Sequence, residues 1–184
     1  MRKIGILGGT FNPIHKGHLA LGLAAMEQYD LEEVWQMPSK LPPPKSHFTM
    51  LSEEHRLAMT KLAAQTDARF SASDFELRRE GLTFTADTLE LLTKDYPDVK
   101  FYFIVGGDSL IKFTHWRRPE RILELCTLLG AGRAGYEEKA VNEAVEGLRR
   151  QFPHAEIGTV VLSDYPISSN EISICKIIRR YGKL

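Results

Sequence analysis

Two histidines close a glycine-containing segment near the start of the chain, and together these residue types could bind phosphate. The segment covers residues 8–18, begins with Gly8-Gly9 and ends with His15-Lys16-Gly17-His18; we call it the glycine–histidine run. It follows a short apolar stretch typical of a buried strand and precedes a stretch with helical periodicity. Glycines permit close backbone approach and unusual φ angles, and the N–H groups at a helix N-terminus attract anions. The run therefore predicts a phosphate site between a strand and a helix.

The spacing of His15 and His18 brings both imidazoles to the same phosphate if the run ends in a helix. Residues three apart share one helix face, so two hydrogen-bond donors would stand beside one anion. The helix N-terminus disfavours a charged imidazole, and we expect the charged form to be favoured only when a negative ligand is bound. The alternative is a pair of surface histidines in a turn. The combination of the pair with two glycines and a preceding strand favours the phosphate site.

The glycine–histidine run differs from the common nucleotide-binding motifs. It lacks the Gly-x-Gly-x-x-Gly spacing of dinucleotide-binding folds and the Gly-Lys-Ser/Thr ending of a P-loop. Its ending, His15-Lys16-Gly17-His18, resembles the His/Thr-x-Gly-His signature of the nucleotidyltransferase superfamily. Within that superfamily, residues 8–15 are similar to the bacterial nicotinate-nucleotide adenylyltransferases. The resemblance implies an enzyme of NAD biosynthesis that transfers AMP from ATP to nicotinate mononucleotide (NaMN), forming deamido-NAD and pyrophosphate.

The resemblance also implies which residues serve each substrate. The catalytic group consists of His15, His18 and Lys45. The residues that would bind ATP come from the run, from a second turn and from the C-terminal segment: Gly8, Gly9, Thr10, Phe11, Gly17, Gly106, Asp108, Ser168 and Ser169. The residues that would bind NaMN are Asn12, Thr85, Asp108, Trp116 and Arg133. Magnesium would accompany ATP and bridge its triphosphate, with few direct protein ligands.

Lys45 lies in a proline-rich segment, residues 38–49, that contains three consecutive prolines. This segment is a stiff surface loop or a lid, and a lysine on it could meet phosphate as a point charge. An exposed lysine without a role is the alternative. The family usually has Pro-Pro-His-Lys here, so Pro44 replaces a histidine and removes one hydrogen-bond donor.

Four further residues stand where strands end or helices begin. Asp108 follows the apolar run 101–105 and two glycines, where a carboxylate could accept from ribose hydroxyls or attract a magnesium-bound triphosphate; the alternative is a helix cap. Trp116 could stack on a pyridine ring or lie in the core. Thr85 opens a helix whose N-terminus suits a carboxylate, which nicotinate has and nicotinamide lacks. Arg133 could contact phosphate or be an ordinary surface arginine.

The resemblance weakens in the C-terminal segment. Residues 167–173 read Ile-Ser-Ser-Asn-Glu-Ile-Ser where the family has Ile-Ser-Ser-Thr-x-Ile-Arg, so Ser173 replaces an arginine that would bind triphosphate. Loss of one charged hydrogen-bond partner costs about 1.5–3 kcal/mol, which slows catalysis by roughly one or two orders of magnitude. Arg179 or Arg180 could take the place of the missing arginine.

Two other functions stay open: another small-acceptor nucleotidyltransferase of the superfamily, and a nucleotide-binding protein with weakened catalysis.

Alternating strand and helix patterns must position these residues. Apolar strand-like runs occur at residues 4–7, 34–37, 69–71, 101–105, 126–130 and 156–162. Helical patterns occur at about residues 17–29, 52–65, 85–95, 119–125, 137–151 and 170–181. This alternation predicts a single domain, residues 1–184, with an α/β fold: a Rossmann-like, doubly wound parallel sheet with helices on both faces. Ligands of such folds bind beyond the carboxyl ends of strands where the strand order reverses, and the glycine–histidine run and the Gly106-Gly107-Asp108 turn both follow strands.

Composition narrows the choice of partners and compartment. The chain has 184 residues with 24 basic and 24 acidic side chains, so its net charge gives no reason to expect a nucleic-acid partner. Cys126 and Cys175 are far apart in sequence and form no metal-ligand pair, which favours a reduced, cytoplasmic protein. No apolar run approaches the length of a membrane span, and the first strand begins too early for a signal peptide. A homo-oligomer is compatible with the sequence.

Overall fold

A computed structural model describes residues 1–40, 50–133 and 136–162, without the side chains of residues 133, 136 and 137. Within these residues six strands form one sheet, in which every neighbouring pair is parallel. The strands are β1 (Arg2–Gly9), β2 (Glu33–Pro38), β3 (Phe70–Ala72), β4 (Val99–Gly106), β5 (Thr127–Arg133) and β6 (Ile157–Leu162). Their order is β3-β2-β1-β4-β5-β6, that of a doubly wound sheet. The predicted fold class is confirmed.

Helices connect the strands at the predicted places. They are α1 (Lys16–Tyr29), α2 (Glu53–Ala64), α3 (Thr85–Asp95), α4 (Gly107–Ile111), α5 (Pro119–Leu125) and α6 (Tyr136–Gln151), with a single 3₁₀ turn at Phe113–His115. The short helix α4 was absent from the sequence prediction because five residues give too little periodicity to detect. The helix predicted near residues 170–181 lies outside the described residues.

The two faces of the sheet are both covered, which explains why its strands are continuously apolar. Ile6 of β1 packs on one side with buried side chains of α3, α5 and α6, while Leu7 packs on the other side with those of α1. Successive side chains of a strand point to opposite faces, so each strand supplies both cores. Among them, Ile4, Ile6 and Ile104 are fully buried.

The strand order reverses between β1 and β4. From β1 the chain moves outward to β2 and β3, and it then returns to β4 on the opposite side of β1. Leu7 of β1 pairs with Ile104 of β4, so the ends of these two strands lie side by side. The crevice beyond such a reversal is where doubly wound folds bind ligands. The glycine–histidine run and the start of α4 therefore share the predicted edge of the sheet.

Candidate active site

Gly8 and Gly9 allow close packing and do not adopt an unusual backbone conformation. They are the last two residues of β1, and among the described glycines only Gly81 has a positive φ. Neither residue therefore uses the unusual φ angles that glycine permits. A Cβ added to Gly8 would lie 3.1 Å from the ring of Phe103, and one added to Gly9 would lie 2.9 Å from the ring of Phe11. The glycines are needed because these aromatic rings press against the strand end.

The two histidines lie together at the first turn of α1, as their spacing predicts. His15 is the N-cap residue and His18 is in the first turn, with ring centroids 3.8 Å apart. The main-chain N–H of His15 donates to Nδ1 of His18 at 3.1 Å. Because Nδ1 of His18 accepts a hydrogen bond, the neutral ring carries its proton on Nε2. That N–H is a donor for an anion.

His18 is held in its neutral form. Its pKa is lowered from 6.5 to about 3, mainly by burial and secondly by the charge of His15. Part of this burial comes from Phe11, whose ring packs edge-on against the His18 ring with centroids 5.0 Å apart. The direction agrees with the sequence expectation, although burial and His15 are the causes rather than the helix N-terminus alone. A bound phosphate would act in the opposite direction and favour the charged ring.

Arg56 also belongs to this region, although no motif in the sequence points to it. Its side chain is 1% exposed, and Nη1 donates to the carbonyl oxygens of Thr10 at 2.7 Å and Ser39 at 2.8 Å. Burial lowers the pKa of the guanidinium from its usual value, and the charge of Glu53 partly opposes this. One signal could have revealed it: Arg56, Thr60 and Ala64 are the buried residues of α2, four apart along its inward face.

Asn12 joins the glycine–histidine run to the segment before α2. Its Oδ1 accepts from the main-chain N–H of Leu51 at 3.0 Å. The carbonyl of Thr10 accepts a hydrogen bond from Arg56 of α2. The middle of the run is therefore fixed by α2 as well as by the sheet.

Asp108 lies in the first turn of α4, at the carboxyl end of β4. The N-cap of that helix is Gly106, without a side-chain hydrogen bond, so Asp108 does not serve as the cap. The carboxylate is exposed beside the strand that pairs with β1. Its position fits a carboxylate available to a ligand at this edge.

Trp116 lies near the same edge of the sheet, where its ring contacts the ring of Phe103 in β4. The two rings meet at 82° with centroids 6.1 Å apart, and the Phe103 ring also lies beside Gly8. Trp116 packs against the core but stays partly exposed. Part of this tryptophan therefore belongs to the core, and stacking of its exposed part on a ligand ring stays a prediction.

Thr85 is the first residue of α3, as predicted, and its neighbours fix that end of the helix. The hydroxyls of Thr83 and Thr88 donate to the two carboxylate oxygens of Glu76 at 2.9 and 2.8 Å. The N-cap residue Phe84 lies beneath the Arg117 guanidinium, 4.5 Å from the centroid of its ring. This contact connects the start of α3 with the segment that carries Trp116.

Several predicted site residues lie outside the part of the chain that the structure describes. Lys45, Ser168 and Ser169 lie outside the described residues, as do Ser173, Cys175, Arg179 and Arg180. Arg133 ends β5, but its side chain is not described. Within the described ranges no group of three or more His, Cys, Asp or Glu side chains could hold a metal ion, and no helix there is long and apolar enough to cross a membrane.

Comparison with known proteins identifies a family over most of the chain. Residues 6–180 match the cytidylyltransferase-like family model. A protein of Lachnoclostridium phytofermentans, named a probable nicotinate-nucleotide adenylyltransferase, is 48% identical over 152 residues, covering 83% of this chain and 76% of the relative. A protein of the same name from Bacillus anthracis is 41% identical over 170 residues, covering 92% of this chain and 83% of the relative.

Solved structures share the fold at low sequence identity. The Plasmodium falciparum nicotinic acid mononucleotide adenylyltransferase complexed with NaAD aligns with a TM-score of 0.71 at 18% identity, covering 98% of this chain and 90% of that one. A Vibrio parahaemolyticus structure described as a putative nicotinate-nucleotide adenylyltransferase aligns with a TM-score of 0.58 at 23% identity, covering 80% and 88% of the two chains. These alignments agree with the doubly wound sheet.

Proposed function

The chain belongs to the cytidylyltransferase-like family and, within it, to the nicotinate-nucleotide adenylyltransferases, and we propose that it transfers AMP from ATP to NaMN. The products are deamido-NAD and pyrophosphate. The observation that carries this proposal is the pair of adjacent histidine rings at the start of α1, beyond the carboxyl end of β1. A neutral imidazole N–H at a helix N-terminus is a suitable donor to a phosphate.

The reaction needs no protein nucleophile. A phosphate oxygen of NaMN attacks the α-phosphorus of ATP, the new P–O bond forms, and the bond from the α-phosphorus to the pyrophosphate oxygen breaks. Catalysis of such a transfer consists of orientation and of stabilising the charge on the transferring and leaving groups. We assign backbone contacts with ATP to the glycine–histidine run, at Gly8, Gly9, Thr10, Phe11 and Gly17.

The histidines act on the phosphates that gain charge. We assign His15 and His18 to the α- and β-phosphates, where the Nε2–H of neutral His18 donates to an oxygen. As negative charge develops on that oxygen, the hydrogen bond strengthens and the pKa of His18 rises. Because the pKa of His18 is low in the free protein, its imidazole is an uncharged hydrogen-bond donor before ATP binds.

Lys45, Ser168 and Ser169 complete the ATP side by the family resemblance, together with Gly106 and Asp108. Magnesium would be supplied with ATP, and when bound to the triphosphate it would neutralise part of the negative charge of the nucleotide. Asp108 is the exposed carboxylate at this edge that would face such an ion or the ribose hydroxyls.

The nicotinate end of NaMN is assigned to Trp116 and Thr85, with Asn12 and Arg133 as further contacts. Trp116 is partly exposed at the edge shared with Gly8, so its indole can stack on a pyridine ring. The free N–H groups at the start of α3 suit the nicotinate carboxylate. These two features are the reason to prefer NaMN over other small acceptors.

The acceptor is tested by comparing substrates. Purified protein is incubated with magnesium, ATP and either NaMN, nicotinamide mononucleotide or phosphopantetheine, and the products are separated chromatographically. We expect deamido-NAD from NaMN with a kcat/KM at least about 100-fold above that for phosphopantetheine, because only NaMN offers a ring and a carboxylate to this site. A preference for phosphopantetheine would replace this proposal with another enzyme of the superfamily.

We also propose that the protein works in the reducing cytoplasm. Cys126 is a free thiol buried in the core, and burial raises its pKa to about 12. A buried, protonated thiol is unreactive and is typical of proteins that form no disulfide.

A further inference from the structure

Arg56 is a buried cation to which the mechanism above gives no role. The side chain is 1% exposed, and its guanidinium lies against main-chain carbonyl groups. None of the described carboxylates forms an ion pair with it, and the charge of Glu53 acts on it without direct contact through a salt bridge. Burying a guanidinium is costly, and a cation whose hydrogen bonds within the described residues all go to main-chain carbonyls indicates a specific task at that place.

The hydrogen bonds of Arg56 join two strand ends. Both protons of Nη1 are used, one on the Thr10 carbonyl beyond β1 and one on the Ser39 carbonyl beyond β2. Nη2 makes a longer bond of 3.4 Å to the Lys40 carbonyl. Ser39 is tied to the same place by its own N–H, which donates to the Gly9 carbonyl at 2.8 Å. The planar guanidinium therefore fixes the start of the glycine–histidine run against the exit of β2.

The contact with Thr10 also has an electronic effect on the peptide that follows. The Thr10 carbonyl and the Phe11 N–H belong to one peptide group. A cation that donates to the oxygen polarises this group and strengthens its N–H as a donor. The Phe11 N–H is one of the groups assigned to ATP, and the Phe11 ring packs against His18. A shift of Thr10 would therefore reach both the backbone donors and the catalytic imidazole.

We propose that Arg56 is a positioning residue for adenylyl transfer, which holds and polarises the Thr10–Phe11 peptide for the triphosphate without touching either substrate. The inference rests on the proposed function. It assigns a functional part to a helix, α2, to which the family resemblance assigned no site residue. This role differs from a purely structural one because removal of Arg56 must change ATP binding and kcat more than the KM for NaMN.

The test uses Arg56→Lys, Arg56→Gln and Arg56→Ala, with Arg150→Gln as the control. Arg150 is an exposed arginine in the last turn of α6. Circular dichroism checks the fold, titration calorimetry gives the Kd of α,β-methylene-ATP, and steady-state assays give kcat and both KM values. Addition of guanidinium chloride at millimolar concentration tests whether the missing group can be restored in Arg56→Ala.

We expect folded Arg56→Gln to have a Kd for the ATP analogue at least about 10-fold above that of the parent and a kcat at least about 10-fold below it. Small displacements of reacting groups have effects of this size. The KM for NaMN should stay within about twofold, and guanidinium should raise the kcat of Arg56→Ala but not of Arg150→Gln. Arg56→Lys keeps the charge and should fold even if the other variants do not. The compact ammonium group of lysine cannot reproduce the planar set of guanidinium hydrogen bonds, so we expect the Kd of this variant for the ATP analogue to rise at least about threefold.

The proposal is overturned if folded Arg56→Gln, or Arg56→Lys where only that variant folds, has the parent's ATP-analogue Kd and kcat. It is also overturned if both KM values change equally and guanidinium restores nothing, since a structural role alone predicts that result. Absence of deamido-NAD with the parent protein would reject the proposed function instead. In that case the ATP-analogue Kd values still decide the role of Arg56.

Discussion

At the scale of single residues, His18 combines an internal acceptor with a free donor. Its Nδ1 accepts from the His15 main chain, and burial keeps the ring neutral with the proton on Nε2. The same burial lowers the stability of the folded protein at acid pH, because protonation of His18 is favoured only when the ring is exposed to water. The state of His18 is therefore measurable through the stability of the protein.

Acidification should destabilise the parent protein more than His18→Asn. The folded pKa of His18 is about 3 against 6.5 as the reference value, so the unfolded chain takes up the proton first as the pH falls below 6.5. The contribution of the neutral ring is complete above that pH and is lost progressively towards pH 3. Between pH 7.5 and 5 the loss amounts to about 2 kcal/mol of unfolding free energy.

Urea unfolding of both proteins at the two pH values measures this difference. Asparagine cannot titrate and keeps an acceptor oxygen near the place of Nδ1, while the other titrating groups are common to both proteins. An equal loss of unfolding free energy in parent and variant would show that His18 is not held neutral.

At the scale of elements, the end of β1 depends on glycine for space. The strand is extended to Gly9, and the Phe11 ring folds back against it. The φ of Phe11 is 47°, so the sharp change of direction after the strand occurs at this residue and not at the glycines. Side-chain volume at residue 9 should therefore matter more than backbone freedom.

We expect Gly9→Ala to lower the free energy of unfolding by about 1–3 kcal/mol and to raise the KM for ATP, because the new methyl group meets the Phe11 ring at 2.9 Å. Gly147→Ala in α6 is the matched control. A Cβ there meets nothing within 4 Å, and alanine in a helix should stabilise the protein by about 0.5–1 kcal/mol. Thermal unfolding and ATP kinetics of the two variants check this, and a neutral Gly9→Ala would refute the packing argument.

The elements show where sequence reasoning succeeds and where it fails. Strands such as β1 and β4 were predictable because burial on both faces requires continuous apolar runs. The use of Gly8 and Gly9 was not, because sequence does not tell whether a glycine supplies a special φ or room for a neighbour. Arg56 was missed because apolar periodicity counts a charged residue as outward, although α2 buries it.

At the scale of the whole molecule, the strand order assembles the site from distant segments. The reversal between β1 and β4 brings the glycine–histidine run to the same edge of the sheet as Asp108, and the Phe103 ring of β4 lies between Gly8 and Trp116. Local patterns predict an α/β sheet and ligand binding where the strand order reverses, but not which strands are neighbours; the structure supplies that order. The proposed reaction depends on this assembly, since neither segment alone offers both a phosphate site and a ring platform.

Formation of deamido-NAD tests the account most directly. The parent protein and His18→Asn are compared at saturating magnesium, ATP and NaMN, with deamido-NAD and pyrophosphate both quantified. We expect the parent to form the two products in equal amounts at an enzymatic rate, about 10 per second or up to about 100-fold slower with Ser173 in place of the arginine, and His18→Asn to be at least about 100-fold slower again. A parent that binds α,β-methylene-ATP but forms neither product would contradict the account and leave a nucleotide-binding protein.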